Sequence, residues 1–417
     1  MKYTKYSLKK YNIHIVKTDR FKKVTVQINF KRKNKKDEIT IRRLLSDVLI
    51  ESSLKYPSRR LIDMQVEDLY GISLSNSAFT SGNYSVMSFK GTFLNEKFTE
   101  PGMNNKSILF MLELLLNPDV KNNEFNEYGF NLSKKIIKNE INTFADYPPS
   151  YSFQRMLESM DKKAPISYRN CGYIKDLNKI TREYLYDYYK SVIENDIIDI
   201  GIIGDVDEEE ILKLFKDNFT RINDNIISES HRVKLKPKKE SEKIEKSKIN
   251  QSRLVIGCTV DTDDLDIIQY VLNVYSFILG GSGDSLLFKT VREKNSLCYS
   301  ISSSHSVVSN ILTISAGIDG KNKDKTVKLI KECMKEIENG NFDDIEIEKA
   351  KTIYKNSCIE MLDAPSSILN SYISHEYIGV DTLEEKMKKI DMVTKEDIIN
   401  IAHKVKINII YMLEGEK

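Results

Sequence analysis

Two distant stretches of this 417-residue chain carry the same pattern, and that repetition limits the fold more than any bulk property does. DLNKITREYLYDYYKSVI, from Asp176, is followed by IDIGIIGDV; near the C-terminus KIDMVTKEDIINIAHKV is followed by INIIYMLEG. The earlier copy reads as a helix capped by Thr181 with an acid in its first turn, then an apolar strand. Other elements recur in the same order. The alternating run VTVQINF (24–30) is answered by SRLVIGCTV (252–260). A helical stripe of Ile41, Leu44, Leu45, Val48 and Leu49, after a charged turn at 31–37, is answered by 265–279. Paired alternating runs at 72–80 and 84–94 are answered by 298–304 and 311–318, and a helix at 106–116 by one at 325–337. A long helix at 124–144 is answered by one beginning near Asp344, with Ile347, Ala350, Tyr354, Cys358 and Met361 on one face. Each long helix is followed by proline, Tyr147-Pro148 and Ala364-Pro365.

The expected product is an α+β protein of two duplicated halves, 1–221 and 251–417. Residues 222–250 between them read as a solvated linker, because 232–248 hold eight Lys/Arg and three Glu with almost no apolar period.

Composition excludes several classes. Lys+Arg number 64 and Asp+Glu 61, so the net charge of +3 argues against nucleic acid or an anionic membrane as the main partner. No apolar run approaches the ~18 residues of a membrane span, and the N-terminus shows no secretory pattern. Five scattered cysteines without a CxxC fit reduced thiols, so a cytoplasmic location is expected.

The residues offer no self-sufficient catalytic constellation. His14, His231, His305, His375 and His403 are dispersed. His375-Glu376 opens an HExxH pattern, but Gly379 stands where the second imidazole belongs, and neither HxxEH nor GxSxG occurs. Cys298, between Leu297 and Tyr299 in an alternating run, reads as a packed thiol rather than a nucleophile. The stretch LGGSGDSLLFKTVREKNSLCYSISS, from Leu279, remains. Gly280, Gly281 and Gly283 read foremost as the end of a helix and secondarily as a ligand-facing turn. They fit neither the P-loop nor the dinucleotide fingerprint.

That stretch, with the duplication, resembles the insulinase-like (M16) metallopeptidase family in its shorter form. The carrying residues are Gly280-Gly281, Leu287-Phe288, Val291-Arg292-Glu293-Lys294, Leu297 and Tyr299-Ser300, with Ser296 where the family commonly has Gly. The resemblance implies two M16-type domains, each an antiparallel-rich sheet with packed helices, closing as a clamshell. It implies that Arg292, Tyr299 and the Gly280, Gly281, Gly283 loop reach a peptide substrate.

In the first half the pattern fails. Family enzymes carry HxxEH on the first helix; here Leu44 and Val48 fall at the two His positions and Asp47 at the general-base Glu. Where a further Glu ligand belongs on the long helix stand Asn131, Leu132 and Ser133. The resemblance therefore implies a non-catalytic member without metal or cofactor, zinc being expected only in a partner. That partner is an HxxEH-bearing M16 homologue, with self-association as the other option. LLSDVLIESSLKYPS and DLYGISLSNSAF look like the elongation factor P 5-aminopentanol modification-associated group. Two alternatives stay open: a zinc peptidase with unconventional ligands such as His14, His305 or His375, and a self-associating scaffold without a peptide role.

Overall fold

The computed structural model describes residues 1–221, 223–224 and 228–416. The principal elements of the first half are β1 (Lys2–Ser7), β2 (Asn12–Lys17), β3 (Lys23–Lys33), α1 (Ile39–Val48), β4 (Ser73–Ser81), β5 (Tyr84–Leu94), α2 (Met103–Leu116), α3 (Glu127–Thr143), α4 (Pro148–Met160), α5 (Arg182–Asn195) and β6 (Ile197–Gly204). Those of the second half are β7 (Ser241–Ser247), β8 (Ser252–Val260), α6 (Leu272–Gly280), β9 (Cys298–Ser306), β10 (Ile311–Ile318), α7 (Lys323–Glu338), α8 (Asp344–Met361), α9 (Pro365–Ile378) and β11 (Val405–Gly415).

The α+β class and the duplication are both present. The first sheet has the order β1-β2-β6-β3-β5-β4 and the second β9-β10-β8-β11-β7. Within each sheet one pair is parallel, β2 with β6 and β7 with β11, and the other pairs are antiparallel. The second sheet therefore repeats β2-β6-β3-β5-β4 of the first, and β1 is the addition.

This repeat corrects the linker reading. Within 222–250, residues 222 and 225–227 lie outside the described residues, but 241–247 form β7, the counterpart of β2. β7 is an edge strand paired on one side only, and its exposed Lys and Glu side chains resist further pairing. Charge density masked a strand whose requirement is backbone pairing rather than burial. The expected turn at 31–37 also begins late, since β3 runs to Lys33 and buries Lys31.

Compact packing does not follow chain order. One unit comprises 1–142, 168–231 and 363–377, the other 143–167, 232–362 and 378–417. Each half of the sequence thus lends a helical segment, α4 or most of α9, to the other unit. Boundaries drawn along the chain at 221 and 251 do not capture this exchange.

In the first unit, one face of the sheet buries Ile13, Ile15, Val24, Val26, Ile28 and Ile200 against the stripe Ile41, Leu44, Leu45 and Val48 of α1. In the second, Leu254, Ile256, Ile314 and Met412 pack against Val274, Tyr275 and Ile278 of α6. The alternation of each strand and the helical spacing of each stripe meet at these layers.

Candidate functional site

At the helix where the resemblance aligns the metal ligands, the apolar spacing decides the outcome. Leu44 and Val48 belong to the stripe that α1 buries, and both are core residues. Asp47, one position around the helix, is half-buried and paired with Arg43 one turn earlier. It also accepts a hydrogen bond from Asn76 Nδ2 of β4 at 2.7 Å. The second terminal nitrogen of Arg43 reaches Glu140 Oε2 of α3 at 3.3 Å. Farther along, Gly129 of α3 lies against Glu51, so the two segments run antiparallel and the buried Ser133 falls between these contacts.

A guanidinium thus bridges carboxylates from two helices at these positions. Arginine offers donors only; it can neither ligate a metal nor take a proton from water. Burial raises the Asp47 pKa, and Arg43 and Asn76 oppose that rise. Among the described residues no three His, Cys, Asp or Glu side chains gather as a metal would require. His14 is buried, its ring nitrogens 2.9 Å from Tyr3 Oη and 3.3 Å from Asp199 Oδ1. His375 is exposed on α9, and burial pushes His305 of β9 down to about 4.

The glycine-rich stretch lies in the second unit. α6 ends at Gly280, and a Cβ there would approach the Ser303 backbone nitrogen of β9 to 2.7 Å. A Cβ on Gly281 would meet Phe277 at the same distance, whereas Gly283 faces open space. Two of the three glycines therefore serve close packing, which matches the helix-ending reading.

After the glycines, Phe288–Lys294 forms a wide π-helical turn. Ser296 then adopts a left-handed backbone, φ 52°, which suits the glycine common at this position in the family. β9 opens with a bulge: Cys298 pairs with Ile318 and Ser300 with Gly317, leaving Tyr299 unpaired. These irregularities bring Arg292 and Tyr299 together, with the guanidinium carbon 5.6 Å from the Tyr299 ring centre and 4.5 Å from that of Phe288. Tyr299 is 77% exposed. No ion pair or side-chain hydrogen bond occupies Arg292 among the described residues. The Cys298 thiol is half-buried and raised by that burial, in keeping with a packed thiol.

Sequence reasoning passed over Phe288 as a partner of Arg292, although it belongs to the quoted motif. It also passed over Arg43, whose signal was a charge directly before the first vacant His position. A third omission is a buried cluster on the polar face of the first sheet. There Lys31 Nζ lies 2.5 Å from Asp199 Oδ2, and Asn12 Nδ2 and Tyr377 Oη donate to Asp199 Oδ1. An aspartate inside the apolar strand IIDIGII was the visible clue.

These observations define a class first: a duplicated α+β protein in which Leu44 and Val48 are core residues and Asp47 is ion-paired with Arg43. A family model described as the Peptidase M16 inactive domain matches residues 179–354. The "Probable inactive metalloprotease YmfF" of Bacillus subtilis is 29% identical over 410 residues, 96% of this chain and 95% of that one. The "Non-peptidase homolog YmxG" of Helicobacter pylori is 22% identical over 306 residues, 72% and 69% of the two chains. A conserved protein of known structure from Enterococcus faecalis has a TM-score of 0.91 at 27% identity over 99% of both chains. The M16 inactive-domain structure from Pseudomonas fluorescens gives 0.79 at 15% identity, over 100% of this chain and 98% of that one, a likeness of fold. Residues 179–354 thus match the M16 inactive domain, and over 96% of its length the chain is similar to a probable inactive metalloprotease.

Proposed function

We propose that this chain is the silent subunit of a two-component cytoplasmic peptidase. It pairs with a zinc-bearing M16 homologue and helps hold the peptide that the partner cuts, in a chamber the subunits share. Arg292 and Tyr299 supply the polar contacts, and in the turn begun by Gly280 and Gly281 it is Gly283, facing open space, that lets backbone approach the peptide. The observation that carries this reading is an aromatic-backed Arg292 with no ion pair among the described residues, in a chain where Leu44 and Val48 are core and Asp47 is paired with Arg43.

The test is co-purification with a zinc-motif M16 homologue followed by a peptidase assay. Activity is expected only from the pair, and Arg292→Ala in this chain should reduce it about tenfold, the worth of one charge-assisted contact, with zinc content unchanged. Stoichiometric zinc and peptide cleavage by this chain alone would overturn the reading. A homodimer without peptide affinity would favour the scaffold instead.

A further inference from the structure

We propose that Arg292 is a carboxylate-recognition fork, so that the peptide held by this chain presents an acidic group there, its C-terminal carboxylate or an Asp or Glu side chain. This narrows the peptide-binding reading above and rests on it. Three features of the second unit support it.

The first is the backbone. A π-helical turn, a left-handed Ser296 and a β-bulge at Tyr299 lie within a dozen residues, and together they place Arg292 against Tyr299. Such one-residue insertions re-aim side chains and concentrate at functional sites.

The second is the setting of the guanidinium. The rings of Phe288 and Tyr299, at 4.5 and 5.6 Å, restrain it, so fewer rotamers are lost when a ligand binds. Its N–H edges remain, and they form a planar fork. A carboxylate offers two coplanar acceptors to such a fork, whereas a peptide carbonyl offers one oxygen.

The third is the absence of an internal counter-ion for the ring-held guanidinium, where two nearby lysines have one. Lys289 pairs with Glu346 at 3.5 Å and Lys349 with Asp284 at 3.1 Å. Arg292 has no such partner among the described residues, and neither has Lys294, but only Arg292 is held against two rings and lies close enough to Cys298 to influence the thiol. The exposed Tyr299 hydroxyl adds a further donor for the same ligand.

The experiment uses the full chain and labelled unstructured peptides, read by fluorescence anisotropy. One arm compares a C-terminal free acid with its amide; the other compares an internal Glu with Gln in an amidated peptide. In at least one arm the acid should bind about tenfold more tightly, the worth of a charge-assisted bidentate contact, and that arm identifies the source of the carboxylate. The preference should vanish in Arg292→Ala and shrink in Arg292→Lys, which keeps the charge but loses the fork. Phe288→Leu should weaken it several-fold by loosening the guanidinium. Equal binding of acid and amide in both arms overturns the carboxylate fork and leaves peptide binding standing. Binding of none of the peptides overturns both.

Discussion

The two units lay a helix across the corresponding face of equivalent sheets, and the chemistry beneath the two helices is opposite. Under α9 the first sheet presents His14, Lys31 and Asp199, all buried, with the Lys31 ammonium also 3.0 Å from the Tyr377 ring centre. Under α4 the second sheet presents Val255, Ile409, Tyr411 and Leu413, which pack against Met156, Leu157 and Met160. Each sheet makes room with a glycine: Gly201 lies under Leu369, and Gly257 under Met156 and Met160. In β11 the neutral Asn408, at a bulge in the pairing with β8, accepts a hydrogen bond from Thr259 Oγ1 at 2.8 Å. On this face charge stays at the rim, where Glu245 receives Arg155 at 2.9 Å and Tyr411 at 3.1 Å.

The difference teaches that one architecture tolerates two ways of docking a helix, with different vulnerabilities. An apolar contact loses stability in proportion to the atoms removed. A buried ion pair is adequate only while complete, because removing one partner strands the other charge. Burial alone would raise the Asp199 pKa, but Lys31 and His14 override it and hold the carboxyl below the usual carboxylate range. Burial lowers Lys31 in turn, and Asp199 counters part of that effect.

The largest expected effect therefore belongs to the first unit. Asp199→Ala should destabilise it by about 4 kcal/mol in urea unfolding and speed hydrogen exchange across 365–377. If the loss stays below that of a single core methionine, the polar latch contributes little and the comparison breaks. Met156→Ala in the second unit should cost about 3 kcal/mol, by opening a cavity rather than stranding a charge. Acid separates the units less sharply. Burial pushes His231, stacked on Tyr84 at 4.3 Å, down to about 3 from an ordinary 6.5. The unfolded chain takes up that proton first, so stability should fall as pH drops through this window, by up to about 1.4 kcal/mol per unit. His305 adds the same sign down to about 4 from the second unit. Thermal melts across pH should show a shallower slope for His231→Gln.

Smaller effects test Arg43 of the first unit and Ser296 of the second. Arg43→Ala releases the half-buried Asp47 from its cation and should cost about 1–2 kcal/mol in the same unfolding assay. No loss at all would mean that the Arg43 bridge is incidental. Ser296→Gly, relieving a left-handed backbone, should raise stability by about 0.5–1 kcal/mol with peptide affinity intact.

Much of the site was readable because its signals are local. Leu44 and Val48 sit at helical spacing with Ile41 and Leu45, so their burial follows from the stripe. The motif from Gly280 to Ser300 is continuous, so Arg292 and Tyr299 could be singled out before their contact was known. Phe288 was harder to assign, since a phenylalanine in an amphipathic segment looks like core whether it packs inward or backs a cation. β1 and β2 escaped notice as six-residue strands in a lysine-rich stretch, and β7 because only Ile244 among its seven residues is apolar.

The sequence by itself determined the duplication, the α+β class and the absence of an HxxEH motif. Those properties reside in period, order and residue identity, which a chain carries without folding. Only the tertiary structure decided that α4 and α9 are exchanged between the units and that Lys31 meets Asp199. It likewise decided that Arg43 spans Asp47 and Glu140, and that Arg292 rests against two rings. Each of these joins groups whose partners are chosen by the path of the backbone through space. A lysine in a charged stretch and an aspartate in an apolar strand become one buried pair only when β3 lies beside β6.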